Sequence, residues 1–306
     1  MTEFLIAGAI LGIMGVLLAA ILAYADKKLY VYEDPRIDEV EGMLPKANCG
    51  ACGEAGCRAF AEKAVKGEIA PGKCTVSSPD AVADIAAFLM TEAGHEEKRV
   101  ARLACAGGAH VALHRASYSG IATCRAAALV CGGGKSCSWG CLGLGDCERV
   151  CDFDAIHMDR HGLPVVSEVA CTACGDCVDV CPKQLFSLHE ISHRLWVACK
   201  NHLDGAQAEA QCEVACTACG RCAQDAPAGL IHITDYLAVI EYSANRLATP
   251  KPAERCPTGA IVWMDATKGP LKGLESKKIT RSSARPVELA DLPLSSRTGK
   301  REAAVR

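Results

Sequence analysis

Large aromatic side chains and excess charge are both scarce in this sequence. Of its 306 residues only 5% are Phe, Trp or Tyr, and the formal net charge is −3. A nearly neutral chain gives no indication of nucleic-acid binding, so we expect no nucleic-acid partner. A core that is poor in large rings needs another source of stability, and bound metal can supply it.

The usual signatures of a self-contained catalytic site are also missing. We find no pairing of a nucleophile with a base and no open metal site in the sequence. No G-x-G-x-x-G fingerprint follows a predicted strand, so the sequence does not indicate a dinucleotide-binding fold.

Cysteine, by contrast, is abundant, with 21 residues and repeated C-x2-C runs. Disulfide frameworks belong to small secreted domains, whereas such runs in a long chain are typical of metal sites. Because metal-binding thiolates need a reducing compartment, we expect the cysteine-rich body to lie in the cytoplasm.

One long apolar run, from Phe4 to Ala25, carries no charge. As a helix it would be about 33 Å long, enough to cross a bilayer. Basic residues follow the run and none precedes it, so the positive-inside rule places the N-terminus outside. A secretory signal peptide is the alternative, because Ala23-Tyr24-Ala25 resembles a cleavage site, but a basic leading region is missing. We predict a single-pass anchor in the cytoplasmic (inner) membrane, in contact with membrane lipid.

The first cysteine group lies on a glycine-rich segment that carries Cys49, Cys52 and Cys57, with Cys74 following a predicted helix. Glycines allow positive φ and expose N–H groups that can donate to cluster sulfurs. Zinc also accepts four cysteines, but usually as two C-x2-C pairs separated by a spacer. The spacing therefore favours a [4Fe–4S] cluster bound by these four residues.

The strongest pattern is the run C-x2-C-x2-C-x3-C-P that ends at Pro182. In bacterial ferredoxins the first three cysteines of such a run bind one cluster and the fourth binds the neighbouring cluster. A second run, from Cys137 to Cys151, lies upstream, and a predicted β-hairpin over 155–166 separates the two runs. The crossover rule predicts two ligand sets: Cys171, Cys174 and Cys177 with Cys151, and Cys137, Cys141 and Cys147 with Cys181.

A second ferredoxin unit follows, with a predicted hairpin over 230–240, and only half of its ligand positions are cysteine. The intact set of four cysteines predicts one cluster, and the other set has no cysteine at any of its four positions. The alternative is that this unit is a packing module without a cluster. The intact positions are Cys216, Cys219, Cys222 and Cys256, and the vacated ones are Ala226, Arg246, Thr249 and Pro252.

Four clusters would therefore use sixteen cysteines, and five cysteines remain. We interpret the five as small buried hydrophobic residues, with Cys212 as an alternative ligand. They are Cys105, Cys124, Cys131, Cys199 and Cys212.

These patterns predict an α+β protein with a transmembrane helix, a small [4Fe–4S] module and two ferredoxin-like units, the second with one cluster. Within the module, residues 33–47 read as a polar linker and 80–94 as an Ala-rich helix. The predicted divisions are a membrane anchor (1–26), the four-cysteine module (27–95), a connecting segment (96–135), the two-cluster unit (136–190), the one-cluster unit (191–265) and a disordered basic tail (266–306).

Over residues 1–265 the chain resembles the B component of the Rnf (Rsx) ion-translocating ferredoxin:NAD oxidoreductase complex. The resemblance rests on the N-terminal helix, Asp34-Pro35-Arg36 and the segment from Leu44 to Cys57. The paired cysteine runs from Cys137 to Cys177 also match the longer members of that family.

The resemblance implies a cytoplasm-facing electron-transfer subunit of a translocase, without its own catalytic site. It would accept electrons from soluble ferredoxin and pass them to other membrane subunits that move Na+ or H+, with nicotinamide chemistry in a partner. Two departures are Asp152, where such runs usually have Pro, and the vacated set in the last unit. A carrier that feeds another membrane-associated or low-potential reductase, and a structural zinc-binding interaction protein, are the alternatives.

Overall fold

The apolar N-terminal run forms one helix, α1 (Thr2–Leu29), in the computed structural model, which describes residues 2–29, 33–265, 268–274 and 276. Its segment Gly8–Leu29 has a mean hydropathy of 2.3, and none of its apolar window is buried within the described chain. The predicted helix is confirmed, and its length and composition allow it to cross a membrane.

The four-cysteine module is built on helices that bury a small apolar core. Ile37 and Val40, three residues apart on one helix face, pack with Phe60 and Ile85. The prediction of a polar linker is therefore wrong over 36–43, where this apolar pair holds a helix against the module. The helices are α2 (Arg36–Met43), α3 (Cys57–Val65) and α4 (Pro79–Leu89).

The first ferredoxin unit contains the predicted hairpin and one strand that the sequence did not reveal. Strands β2 and β3 pair antiparallel as expected, and β1 pairs antiparallel with β4, with Leu103 opposite Phe186. The segment predicted as a connection thus contributes a strand to this unit. The elements are β1 (Arg99–Leu103), α5 (Cys124–Leu129), α6 (Asp146–Arg149), β2 (Ile156–Met158), β3 (Pro164–Val166), α7 (Asp176–Val180) and β4 (Phe186–Glu190).

The second ferredoxin unit repeats this plan around a larger apolar core. Its predicted hairpin is confirmed as β6 and β7, while β5, β8 and β9 form an antiparallel sheet. Strand β9 lies inside the predicted basic tail, most of which falls outside the described residues. The elements are β5 (Leu195–Val197), α8 (Gly205–Gln211), α9 (Arg221–Asp225), β6 (Ile231–Thr234), β7 (Leu237–Ile240), α10 (Lys251–Glu254), β8 (Ile261–Asp265) and β9 (Gly269–Leu271).

Strand β1 connects all three units. The guanidinium of Arg99 donates to the carbonyl oxygen of Ala51 in the first cysteine loop, at 2.8 Å. At the other end of the strand, the indole N–H of Trp196 donates to the carbonyl oxygen of Leu103, also at 2.8 Å. The four-cysteine module and the second ferredoxin unit are therefore both anchored on β1.

Candidate metal centres

The four cysteines of the first module surround one space, as the sequence predicted. This space measures about 350 Å³ and is otherwise lined mainly by apolar and small residues of the same loop and of α3. Its four thiols are those of Cys49, Cys52, Cys57 and Cys74.

Side chains next to the cysteines hold this loop in place. The Asn48 side-chain oxygen accepts from the backbone N–H of Cys57 at 2.8 Å, which locks the start of α3. Gly56 leaves room for that oxygen, because a Cβ there would lie 2.9 Å from it. The Ser77 hydroxyl lies 3.2 Å from the sulfur of Cys74 and can donate to it.

In the first ferredoxin unit, one ligand set lies as the crossover rule predicted. Burial, together with the neighbouring thiols of Cys171, Cys174 and Cys151, raises the pKa of Cys177 to about 12. Backbone N–H groups point at two of these sulfurs, from Ala101 to Cys171 at 3.5 Å and from Ala155 to Cys151 at 3.4 Å. Such N–H···S contacts are typical of cluster-binding loops.

The other predicted set of this unit needs one correction. The space of about 380 Å³ beside Cys181 is lined by Cys141, Cys147 and Cys124, and Cys137 is not among the lining residues. Burial raises the pKa of Cys147, and the next causes are the thiols of Cys141, Cys124 and Cys181. Cys124, for which the sequence predicts only a buried hydrophobic role, therefore lies in the place predicted for Cys137.

Local structure explains why Cys124, and not Cys137, lies beside Cys147. Cys124 begins α5, whose next backbone N–H, that of Arg125, donates to the Asp146 carboxylate at 3.2 Å. Asp146 begins α6, which carries Cys147, so α5 is held against the cysteine loop. The irregular spacing of three and five residues around Cys141 was the available signal, because it departs from C-x2-C-x2-C.

Cys137 faces a different space. There it lies with Cys105, Cys199 and Cys212, three of the five cysteines that the four predicted clusters leave over. Of the five, Cys131 is exposed.

The last predicted set is also brought together. Cys216, Cys219, Cys222 and Cys256 line a space of about 290 Å³. Burial, together with the other three thiols, raises the pKa of Cys222 to about 12. The backbone N–H of Ile261 donates to the sulfur of Cys256 at 3.4 Å.

Apolar packing occupies the region of the vacated set. Pro252 is almost fully buried, and Ala226 packs against the core that contains Leu230 and Ala253. Arg246 and Thr249 lie on the surface. The core of the unit therefore extends to two of the four vacated positions, those of Ala226 and Pro252.

The arrangement of these thiols suits a multi-iron cluster better than a single ion. All 21 cysteines are free thiols. Among the described residues, no three His, Cys, Asp or Glu side chains converge closely enough to bind one metal ion. The thiols instead line wider spaces, as at Cys49 and at Cys124, whereas a zinc ion would require all four sulfurs about 2.3 Å from one point.

Two segments match known iron–sulfur families. Residues 44–76 match the family described as "Putative Fe-S cluster", and residues 136–186 match the "4Fe-4S dicluster domain". These segments contain the first cysteine set and the paired motifs of the first ferredoxin unit.

Relatives with high coverage include three components of ion-translocating complexes. The B component of the Na(+)-translocating ferredoxin:NAD(+) oxidoreductase complex of Acetobacterium woodii is 40% identical, covering 85% of this chain and 78% of the relative. The B component of the ion-translocating oxidoreductase complex of Methanosarcina acetivorans is 36% identical, covering 76% and 88%. The B component of the proton-translocating ferredoxin:NAD(+) oxidoreductase complex of Clostridium ljungdahlii is 36% identical, covering 82% and 89%.

Proposed function

Because the chain belongs to the family of Rnf B components of ion-translocating oxidoreductases, we propose that four of its cysteine sets hold [4Fe–4S] clusters and that it transfers electrons between soluble ferredoxin and membrane partners. The relatives' names describe components of oxidoreductase complexes that translocate Na+ in one case and protons in another.

The observation that carries this proposal is that the four thiols of the Cys49, Cys124 and Cys216 sets each line one space. When bound there, a [4Fe–4S] cluster accepts and releases single electrons. The cysteine thiolates hold the group, backbone N–H groups such as that of Ala101 donate to the sulfurs, and burial keeps water away. The four proposed sets are Cys49, Cys52, Cys57 and Cys74; Cys151, Cys171, Cys174 and Cys177; Cys124, Cys141, Cys147 and Cys181; and Cys216, Cys219, Cys222 and Cys256.

The sets also lie next to one another, as electron transfer requires. Arg99 of β1 holds the first cysteine loop, and two residues further along the same strand the N–H of Ala101 contacts Cys171. Leu103 then lines the space around Cys124. One strand therefore touches three sets in succession.

The membrane orientation follows from the end of α1. Lys27 and Lys28 lie in its last turn, on the side that leads to the cysteine-rich body. By the positive-inside rule this body faces the cytoplasm, where soluble ferredoxin can reach it. Membrane lipid and the other subunits of the complex contact α1, and those subunits carry out ion translocation and nicotinamide chemistry.

The test replaces one ligand in the full chain, assembled in its native membrane. We expect Cys174→Ala to remove about four irons per chain, because one complete set is lost. We also expect membranes with this variant to lose ferredoxin-dependent NAD+ reduction. Iron analysis after anaerobic purification and an assay with reduced ferredoxin measure the two effects.

Cys131→Ala is the matched control, since that thiol is exposed and belongs to none of the four sets. It should keep both the iron content and the activity. Wild-type rates of ferredoxin-dependent NAD+ reduction in Cys174→Ala membranes would contradict the proposed role. An iron-free wild-type protein would contradict the cluster assignment.

A further inference from the structure

Four cysteines that belong to none of the four proposed sets surround a space between the two ferredoxin units. This space measures about 340 Å³, close to the 350 Å³ around the Cys49 set. Two of the cysteines come from the first unit and its preceding strand, and two come from the second unit. They are Cys105, Cys137, Cys199 and Cys212.

Backbone pairing fixes the segments that carry these cysteines. The N–H of Ala106 donates to the carbonyl oxygen of Ala198 at 2.9 Å, which joins the segments of Cys105 and Cys199. Ala112 forms an antiparallel bridge with Cys212, and His114 forms another with Lys135, two residues before Cys137. All four segments are therefore tied to one another by hydrogen-bonded backbone.

The walls of the space resemble those of the other cysteine sets. The N–H of Cys141 donates to the sulfur of Cys105 at 3.4 Å, and the N–H of Asn201 to that of Cys199 at 3.5 Å. Gly107 keeps the space open, because a Cβ at this position would lie 3.0 Å from the sulfur of Cys212. Any larger residue would crowd the thiols.

A buried cation lines the same space. Lys135 is only 6% exposed, and its ammonium donates to the carbonyl oxygens of Gly107 and Cys141. No carboxylate of the described residues forms an ion pair with it. Since a buried charge is stable only when it is compensated, the site calls for a negative group, and metal-bound thiolates supply one.

We propose that Cys105, Cys137, Cys199 and Cys212 bind a fifth [4Fe–4S] cluster that links the two ferredoxin units. The inference rests on the proposed iron–sulfur function of the other sets and goes beyond it in ligand assignment and in position. Cys105 accepts from the N–H of Cys141, which belongs to the neighbouring set of the first unit.

On its other side the proposed site adjoins the set of the second unit. Ala215, the residue directly before Cys216, lines the space, and Cys199 packs against the core that contains Cys216. Cys216 belongs to the last set, so the fifth site lies between that set and the Cys124 set. A cluster here would give the second ferredoxin unit a direct neighbour in the first.

The test measures iron, acid-labile sulfide and zinc in the anaerobically purified full chain. With five clusters we expect about 20 irons per chain, instead of about 16 with four, and substoichiometric zinc. Cys137→Ala and Cys212→Ala should each lose about four irons and the same electron paramagnetic resonance signal. The double variant should lose no more than either single variant, because both residues bind one cluster.

The control is a double variant that removes ligands from two different sets, because its iron losses should add. Cys124→Ala combined with Cys212→Ala should lose about eight irons, since the two residues serve different clusters, and Cys131→Ala should lose none. About 16 irons in the wild type, one zinc per chain that Cys212→Ala removes, or additive losses from Cys137→Ala and Cys212→Ala would each overturn the proposal. Failure of the general iron–sulfur function is distinguishable, because Cys174→Ala would then also leave the iron content unchanged.

Discussion

In the first ferredoxin unit the loop before the β2–β3 hairpin ends with Cys151, and in the second unit the corresponding loop before β6–β7 ends with Ala226. Four residues later the first unit has Ala155 and the second has Leu230, and both side chains are fully buried. The unit without the cysteine thus carries the larger apolar side chain at the same place.

The packing around these positions differs in the same direction. The first unit's core centres on Val100, Ile156 and Phe186, together with its cysteines. The second unit buries a longer series of apolar side chains, and each fully buried Leu or Ile contributes about 1.5–3 kcal/mol to stability. This series comprises Leu195, Leu230, Ile231, Leu237, Ile240 and Ile261. An apolar core can therefore replace a lost metal site.

Removal of all iron should give the largest difference in stability between the two ferredoxin units. Because the first unit depends on two sets and has the smaller core, we expect anaerobic chelation to abolish amide protection in β2–β3. The protection factors of the β6–β7 amides should decrease by about 100-fold less than those of β2–β3, since the apolar packing of the second unit remains. Hydrogen–deuterium exchange with mass spectrometry measures both hairpins in one sample. Equal loss of protection in the two hairpins would refute the comparison.

Exchange of the corresponding residues should have a smaller and asymmetric effect. We expect Cys151→Ala to lose about four irons, because the Cys171 set then has three thiols. Ala226→Cys should gain none, since no other thiol replaces Arg246, Thr249 or Pro252 in the second unit. Iron analysis of the two purified variants decides, and extra iron in Ala226→Cys would show that the vacated site still binds metal.

The smallest effect concerns the replacement core. Leu230→Ala should destabilise the second unit locally by about 2–5 kcal/mol without loss of iron, because it leaves a cavity and removes no ligand. Exchange rates of the β6–β7 amides report this change. Val239→Ala, on the same hairpin but 37% exposed, is the matched control and should change these rates much less. Loss of iron from Leu230→Ala would mean that this residue supports a cluster instead of a core.

Local motifs made most of the ligand sets predictable. The thiols of the Cys49, Cys151 and Cys216 sets lie together as expected, because three closely spaced cysteines share one loop and the motif rule identifies the fourth. Both ferredoxin hairpins were also predictable, since short apolar segments on either side of a turn leave few other conformations.

The remaining features depend on contacts between distant segments. Cys124 and Cys105 lie outside any motif, and only the folded backbone brings them to Cys147 and Cys212. Strand β1 escaped prediction because its sequence, Arg-Val-Ala-Arg-Leu, does not alternate between polar and apolar residues. The acidic residues of helix α2 led to the prediction of a polar linker, although Ile37 and Val40 already have the spacing of one helix face.

Strand β1 also determines what can vary in this protein. Every second position of the stretch that it begins meets another cysteine set, from Arg99 through Ala101 and Leu103 to Cys105. Since a strand advances about 3.3 Å per residue, and a one-residue slip turns each side chain to the opposite face, an insertion here would displace all of these contacts together. Each motif loop can change in length without moving the other loops. The number of residues from Arg99 to Cys105, in contrast, fixes the contacts of several cysteine sets at once.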